Sequence, residues 1–112
     1  VVTRSLQDEC IYVFDDGQFE QWVNQLFVDS FGGYRSNNAK HVGLRRKLKS
    51  RARDVQVDSA GRVMIAADQR EAVGIDKDVV IVGNTGYFEV WDAKRYDDMD
   101  AEIDLGEMVQ VS

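Results

Sequence analysis

Apolar and polar residues alternate in several short stretches of this chain, and the alternation predicts β-strands paired as hairpins. The predicted strands are Val1–Arg4, Cys10–Phe14, Val55–Val57, Val63–Ile65, Val79–Val82 and Tyr87–Trp91. In the middle hairpin the alternation places Val55, Val57, Val63 and Ile65 on the inward face. The run Val79–Val82 is apolar without interruption, which is typical of a strand buried on both faces.

Apolar residues spaced three or four apart predict a helix from Asp15 or Asp16 to about Ser30, and Gly32 and Gly33 end it. Its core-facing positions are Phe19, Trp22, Val23, Leu26 and Phe27. A second helix, with only a narrow apolar stripe, is predicted from Ser36 or Asn37 to about Arg53. The remaining predicted helices run from Asp68 to Gly74 and onward from the capping residue Asp92. The tail beyond about Gly106 is expected to fray.

Two parts of the chain resemble each other. Residues Ile11–Phe19 match Phe88–Tyr96 at an offset of 77, and Val1-Val2 match Val79-Val80 at an offset of 78. Each copy contains a strand, a turn, a strand, an aspartate cap and a helix. A hairpin precedes only the second copy, so the repeat predicts two units of which the first is incomplete. The alternative is a chance similarity between two hairpin–helix units.

The repeat and the element order predict an α+β fold with four segments. These are 1–34, the remnant of a first unit; 35–53, a basic linking helix; 54–104, a complete second unit; and 105–112, a flexible tail.

The composition is that of a globular domain, because 44% of the 112 residues are hydrophobic. The longest apolar run, Val79–Val82, is too short to cross a bilayer, so no membrane partner is expected. One cysteine excludes an intrachain disulfide framework and favours a cytoplasmic location. Because Cys10 begins an apolar stretch, we expect a buried small side chain rather than a reactive thiol.

Charge is unevenly distributed along the chain. The net charge of −6 argues against a nucleic-acid partner, yet segment 35–53 contains eight basic residues and no acidic one. A chain polarised in this way can present a positive face while remaining acidic overall.

Residues suited to catalysis or metal binding are scarce. The one histidine, His41, lies in the basic segment and is expected at the surface or facing phosphate, far in sequence from Cys10. No nucleophile–base pair is suggested, and the acidic residues near the end of the chain are expected to be solvated. Gly83-x-x-Gly86 lacks the lysine and following helix of a phosphate loop. We therefore expect no catalytic residue, metal, cofactor or small-molecule substrate.

The sequence Asp58-Ser-Ala-Gly61-Arg62 predicts a tight turn that carries an arginine at its tip. Gly61 can adopt a positive φ, and Asp58 can accept hydrogen bonds from turn amides. Arg70 lies on the helix that follows. Arginines held on rigid elements can each donate two parallel hydrogen bonds to a phosphate or to a guanine edge. In the alternative interpretation, Arg62 forms a structural ion pair with Asp58; both roles can coexist.

The stretch Asp58–Ile75 resembles the swapped-hairpin unit of the AbrB/SpoVT DNA-binding family. The tandem arrangement and the motif Tyr87–Asp92 make the resemblance closest to the MraZ branch of that family. This resemblance extends from Val1 to about Glu102. It implies a swapped-hairpin β-barrel unit, a ring-like homo-oligomer, and a nucleoid-associated regulator of promoter repeats at the division and cell-wall gene cluster. It assigns DNA contact to Arg62 and Arg70, with Asp58 as the motif aspartate.

The chain also departs from that family's pattern. Ile65-Ala66 stands where the pattern often has Ile-Pro, and the linking helix is more basic than usual. Lys49, Arg51 and Arg53 in that helix are therefore expected to add phosphate contacts or to change ring packing.

The predicted function is sequence-specific binding of double-stranded promoter DNA, without catalysis, by a homo-oligomer. The alternative is a homo-oligomeric assembly module, in which the acidic tail of one subunit meets the basic helix of the next and DNA is not contacted.

Overall fold

A four-stranded antiparallel sheet of order β1-β2-β4-β3 organises the α+β fold in the computed structural model, which describes residues 1–60 and 62–109. The strands are β1 (Val2–Arg4), β2 (Ile11–Val13), β3 (Val79–Asn84) and β4 (Tyr87–Asp92). Both outer hairpins, β1–β2 and β3–β4, were predicted from the alternation of apolar residues, and the prediction is confirmed to within a few residues.

Four helices and a short 3-10 turn complete the fold. They are α1 (Asp16–Phe31), α2 (Ala39–Arg51), α3 (Ala67–Ala72), α4 (Ala93–Ala101) and the turn Leu105–Met108. Asp15 caps α1 by accepting the Gln18 N–H at 2.7 Å, and Gly32 ends it with φ of 78°. Asp92 caps α4 by accepting the Arg95 N–H. The caps and the stop signal of α1 are thus confirmed.

The two hairpins join through the central pair β2–β4. Ile11 faces Val90, Tyr12 faces Glu89 and Val13 faces Phe88, so the register is symmetric under the 77-residue offset of the repeat. Across the outer pairs, Val2 faces Val13 and Ile81 faces Val90. The sheet therefore equates Val2 with Ile81, an offset of 79 rather than the 78 suggested by sequence.

Each face of the sheet carries its own core. On one face, Tyr12, Phe14 and Trp91 pack with the α1 residues Phe19, Val23 and Phe27. On the other face, Val2, Ile11 and Val90 pack with Val73. Cys10 is fully buried on the aromatic face, and burial raises the pKa of its thiol to about 12, which confirms the expectation of a buried, unreactive side chain.

The basic helix is shorter than predicted. It begins after its cap Asn38 and ends at Arg51, because the chain becomes extended at Ala52 and Arg53 pairs with β1. The Val2 and Arg53 backbones exchange two N–H···O hydrogen bonds, each 2.9 Å long. The chain after α2 is thereby fixed to the outer edge of the sheet.

The hairpin Val55–Ile65 is reduced to one bridge between Val57 and Val63. Val55, Val63 and Ile65 pack against the core on the aliphatic face, as predicted. Val57 pairs directly with Val63, and paired residues of antiparallel strands lie on the same face, but the Val57 side chain is 64% exposed. The alternation therefore predicts the face of a strand and not how far the core extends along it.

The predicted burial of Val79–Val82 on both faces is wrong. β3 is an edge strand, and the Ile81 side chain is 64% exposed. The covering is asymmetric, because residues of the Arg53–Ile65 segment pack over the β1 side of the aliphatic face, where Val2 is fully buried, whereas Val79 and Ile81 on the β3 side are largely exposed.

The predicted surface position of His41 is also wrong. Its side chain is 5% exposed, it packs against Phe27, Phe31 and Tyr34, and its Nδ1 accepts the Arg35 N–H at 3.1 Å. The first turn of α2 therefore packs on the end of α1 instead of facing an anion.

Ile11 and Ile81 offer a matched test of the one-sided covering of the aliphatic face, because both pair with Val90, Ile11 from β2 and Ile81 from β3. Replacing the buried Ile11 by Ala should lower the free energy of unfolding by about 2–5 kcal/mol. Replacing the exposed Ile81 by Ala should change it by only about 0.5 kcal/mol. Urea denaturation measures both, and equal losses would contradict the one-sided covering of the sheet.

Candidate nucleic-acid interface

The Asp58 carboxylate organises the turn that carries Arg62. One carboxylate oxygen accepts the Ala60 N–H at 2.9 Å and the Arg62 N–H at 2.8 Å. The other accepts from Arg62 Nε at 2.9 Å, and the Asp58 N–H donates to the Arg62 carbonyl at 3.0 Å. The ion pair between Arg62 and Asp58 is thus present, while Gly61, the other residue expected to orient the motif, lies outside the described residues.

Arg62 remains accessible despite this pairing, because its side chain is 80% exposed. The bond to Asp58 engages Nε and leaves Nη1 and Nη2 without a partner among the described residues. A guanidinium held on one side and open on the other has the geometry to donate two parallel hydrogen bonds to a phosphate or a guanine edge.

The same hydrogen bonds lower the pKa of Asp58. The main cause is the Arg62 N–H, followed among the favourable contacts by the Arg62 guanidinium and the Ala60 N–H. Each donor stabilises the charged carboxylate. The turn therefore contains an ionised aspartate throughout the neutral range.

Arg70 lies exposed on α3, which is anchored to β1. The buried Gln69 side chain donates to the Val2 carbonyl at 3.3 Å. Gly74, with φ of 72°, ends the helix and lets the Ile75 N–H donate to the Arg70 carbonyl at 2.9 Å, as predicted. Arg70 is therefore carried by an element that is fixed to the sheet edge.

The three basic residues predicted around α2 are engaged within the chain. Arg53 forms a two-pronged ion pair with Asp68 at the start of α3. Lys49 Nζ lies 2.6 Å from the Glu20 carboxylate. Arg51 is half-buried and donates to the Arg4 carbonyl at 3.4 Å; burial, with Arg4 nearby, lowers its pKa.

The structure thus brings Arg53 to the helix of Arg70, while Lys49 and Arg51 lie on α2. Sequence reasoning missed the link between Arg53 and Asp68. Asp68 was identified only as a helix-start residue, and nothing local couples residues 15 positions apart on different elements.

Other kinds of site find little support in the part of the chain that the structure describes. No cluster of three His, Cys, Asp or Glu side chains suited to a metal ion occurs among these residues. None of the described helices is long and apolar enough to span a membrane.

Comparison with known proteins places the chain in a family. A family model described as "MraZ protein, putative antitoxin-like" matches residues 48–109, more than half of the chain. A relative from Lachnoclostridium phytofermentans named transcriptional regulator MraZ is 34% identical over 109 residues, which span 93% of this chain and 72% of that protein. The chain belongs to the MraZ family. The resemblance to MraZ is therefore confirmed.

Other MraZ relatives agree with this assignment. Proteins of the same name are 43% identical over 102 residues in Polaromonas sp. and 32% identical over 96 residues in Saccharopolyspora erythraea. These matches span 91% and 86% of this chain but 66% and 63% of the relatives. The chain thus spans about two thirds of the length of these MraZ proteins, and the matched segment 48–109 includes every candidate residue from Lys49 to Arg70.

The Asp58 turn predicts a specific acid response. A pKa below the ordinary value of about 3.9 means that the ionised carboxylate stabilises the turn above about pH 4 and loses this effect as pH falls through the lowered pKa. An NMR titration of the Asp58 carboxyl carbon should give a midpoint below that value. In Arg62→Ala, which keeps both backbone donors, the midpoint should rise only part of the way back.

A midpoint at or above the ordinary aspartate value in the wild-type chain would contradict the hydrogen-bonded turn. A full return in Arg62→Ala would mean that the side-chain ion pair, rather than the backbone amides, stabilises the carboxylate.

Proposed function

We propose that this chain acts as a MraZ-type transcriptional regulator that binds double-stranded promoter DNA through the Asp58–Arg62 turn. The observation that carries the proposal is the combination of anchoring and exposure at Arg62. Its Nε is held by Asp58 at 2.9 Å, yet most of its side chain is open to solvent. The names of the matched relatives, transcriptional regulator MraZ, support the same function.

Anchoring by Asp58 favours binding because it restricts the side chain before DNA arrives. A free arginine loses rotamer freedom when it binds, and this loss lowers affinity. An arginine already oriented by a carboxylate loses less. The planar guanidinium also matches the spacing of two phosphate oxygens or of guanine O6 and N7.

Arg70 is the second proposed DNA contact. It lies on α3, which is fixed to β1 through the hydrogen bond from Gln69 to the Val2 carbonyl. Lys49, Arg51 and Arg53 are proposed as flanking phosphate contacts of smaller effect. Two of them already pair with acids of the chain, and Arg51 is half-buried. Releasing them to DNA would break existing interactions, so each contributes less than Arg62.

We further propose the tandem swapped-hairpin organisation, with units at 1–34 and 54–104 joined by the basic segment 35–53. The symmetric β2–β4 register supports it. So does the contrast between Val2, covered by the Arg53–Ile65 segment, and its counterpart Ile81, which is exposed where an equivalent hairpin would pack. As the family resemblance implies, the proposed targets are promoter repeats of the division and cell-wall cluster, bound on the nucleoid by a ring-like oligomer.

Arg62→Ala should weaken binding to its promoter duplex by about 1–3 kcal/mol without unfolding the chain, because the side chain is exposed. Fluorescence anisotropy with duplexes tiled across the cluster promoter measures the loss. Arg62→Lys keeps the positive charge but loses the two parallel hydrogen bonds of the guanidinium, so it should keep only part of the wild-type affinity. Lys94→Ala, which removes one exposed positive charge from α4, is the matched control and should bind nearly as well as wild type.

An equal loss in Lys94→Ala would indicate a nonspecific charge effect. Unchanged affinity in a folded Arg62→Ala variant would remove Arg62 from the interface. Undetectable wild-type binding at low salt, with self-association retained, would favour the assembly module without DNA contact.

A further inference from the structure

An apolar groove of about 550 Å³ lies between α1, α2 and the end of β1. Leu26 and Phe31 of α1 line it together with Leu44 and Leu48 of α2. Phe31 and Leu44 are 41% and 39% exposed, so solvent reaches the walls of the groove. A volume between ~300 and ~1,000 Å³ is typical of sites that bind a small molecule. The groove is therefore large enough to hold an apolar chain.

The α2 wall of this groove combines leucine with positive charge. Leu44, Lys47, Leu48 and Arg51 occupy positions i, i+3, i+4 and i+7 of the helix. Residues at this spacing share one helix face. The face of α2 that lines the groove therefore presents two apolar and two basic side chains, and none of the described residues that line the groove is acidic.

The positive charge of the groove is concentrated where it meets a second, polar pocket. Arg4 and Arg51 line both the apolar groove and this polar pocket, whose other walls include Arg53 and Asp68. The two arginines therefore stand at the junction of an apolar and a polar space. A ligand that spans the junction should be apolar along its length and polar at one end.

The two guanidinium groups at this junction are like charges without a counter-ion among the described residues. Arg51 donates to the Arg4 carbonyl at 3.4 Å, and neither side chain forms an ion pair with a described acid. Burial, followed by the positive charge of Arg4, lowers the pKa of Arg51. By contrast, Lys49 on the same helix is paired with Glu20. An anion bound at Arg4 and Arg51 would offset this repulsion and accept charge-assisted hydrogen bonds.

We propose that this groove binds a single-chain amphiphile with an anionic head group, such as the carboxylate of a long-chain fatty acid. The alkyl chain lies between the apolar side chains of α1 and α2, and the head group contacts Arg4, Lys47 and Arg51. Apolar walls alone would accept any apolar ligand, whereas the adjoining cations select one that carries negative charge at one end. Among these three basic residues, Arg51 is also a proposed DNA contact, and the binding proposed for the groove needs no DNA.

Isothermal titration calorimetry of the full 112-residue chain with dodecanoate, kept below its micelle-forming concentration, tests the proposal. One dodecanoate should bind per chain. From octanoate to dodecanoate the affinity should rise by up to about fourfold for each added methylene, because each one buries further apolar surface. Dodecyltrimethylammonium, which has the opposite charge, should bind at least roughly tenfold more weakly. Dodecyl phosphate, titrated beside dodecanoate, shows which anionic head group the arginines prefer.

Variants locate the site. Leu44→Glu places a carboxylate among the apolar walls and should weaken dodecanoate binding at least roughly tenfold. Arg4→Gln/Lys47→Gln removes two exposed cations and should reduce the preference for dodecanoate over dodecyltrimethylammonium by about tenfold. Val28→Ser on α1 and Arg46→Gln on α2 change exposed residues outside the groove, so they are the matched controls and should bind like wild type.

Circular dichroism checks the fold of each variant. If Leu44→Glu unfolds, Leu44→Ser replaces it, with an expected loss of about threefold. Three results would overturn the proposal: no dodecanoate binding to the wild-type chain, equal binding of dodecyltrimethylammonium, or undiminished binding to a folded Leu44 variant. No dodecanoate binding, together with weaker self-association of Leu44→Glu in sedimentation experiments, would assign the groove to a second copy of the chain instead.

Discussion

The antiparallel pairing of β2 with β4 is the constraint on which the fold depends. It connects two hairpins that are each local, and it fixes their register so that Ile11 and Val90 lie side by side in the centre of one face. The alternate side chains of these strands, including Tyr12 and Trp91, then pack against α1 on the other face. Both cores, and the edge to which the Arg62-bearing segment is fixed, follow from this one pairing.

Several of the basic residues of this acidic chain are paired with acids or partly buried. Arg53, Lys49 and Arg95 pair with acids, and Arg51 is half-buried. Arg62 differs, because its partner Asp58 restrains it without covering it. A polyanion approaching the Asp58–Arg62 turn therefore meets a cation that is already oriented and still accessible. Net charge alone is a poor guide to the partner of such a chain.

Local features of the fold were predictable, and features that depend on distant segments were not. The spacing of Phe19, Val23 and Phe27 was sufficient to identify the buried side of α1, since a helix presents residues at that spacing on one face. His41 was placed at the surface because its sequence neighbours are basic, while its actual surroundings come from α1. An apolar run such as Val79–Val82 cannot indicate by itself whether another segment covers it.

The same distinction holds for the candidate site. The turn from Asp58 to Arg62 could be predicted because its hydrogen bonds lie within five residues. The pairing of Arg53 with Asp68 requires Arg53 to join β1 first, and the groove exists only after α1 and α2 have packed. No local pattern contains that information.

The distance along the chain between β2 and β4 also has a kinetic consequence. Tyr12 and Glu89, which face each other at the centre of the sheet, are 77 residues apart in the sequence. Closing so long a loop is entropically costly, and folds dominated by distant contacts form more slowly than those built from neighbours. During synthesis on the ribosome, β1, β2 and α1 emerge well before β4, so these early elements wait with an unpaired strand edge until β4 has been synthesised.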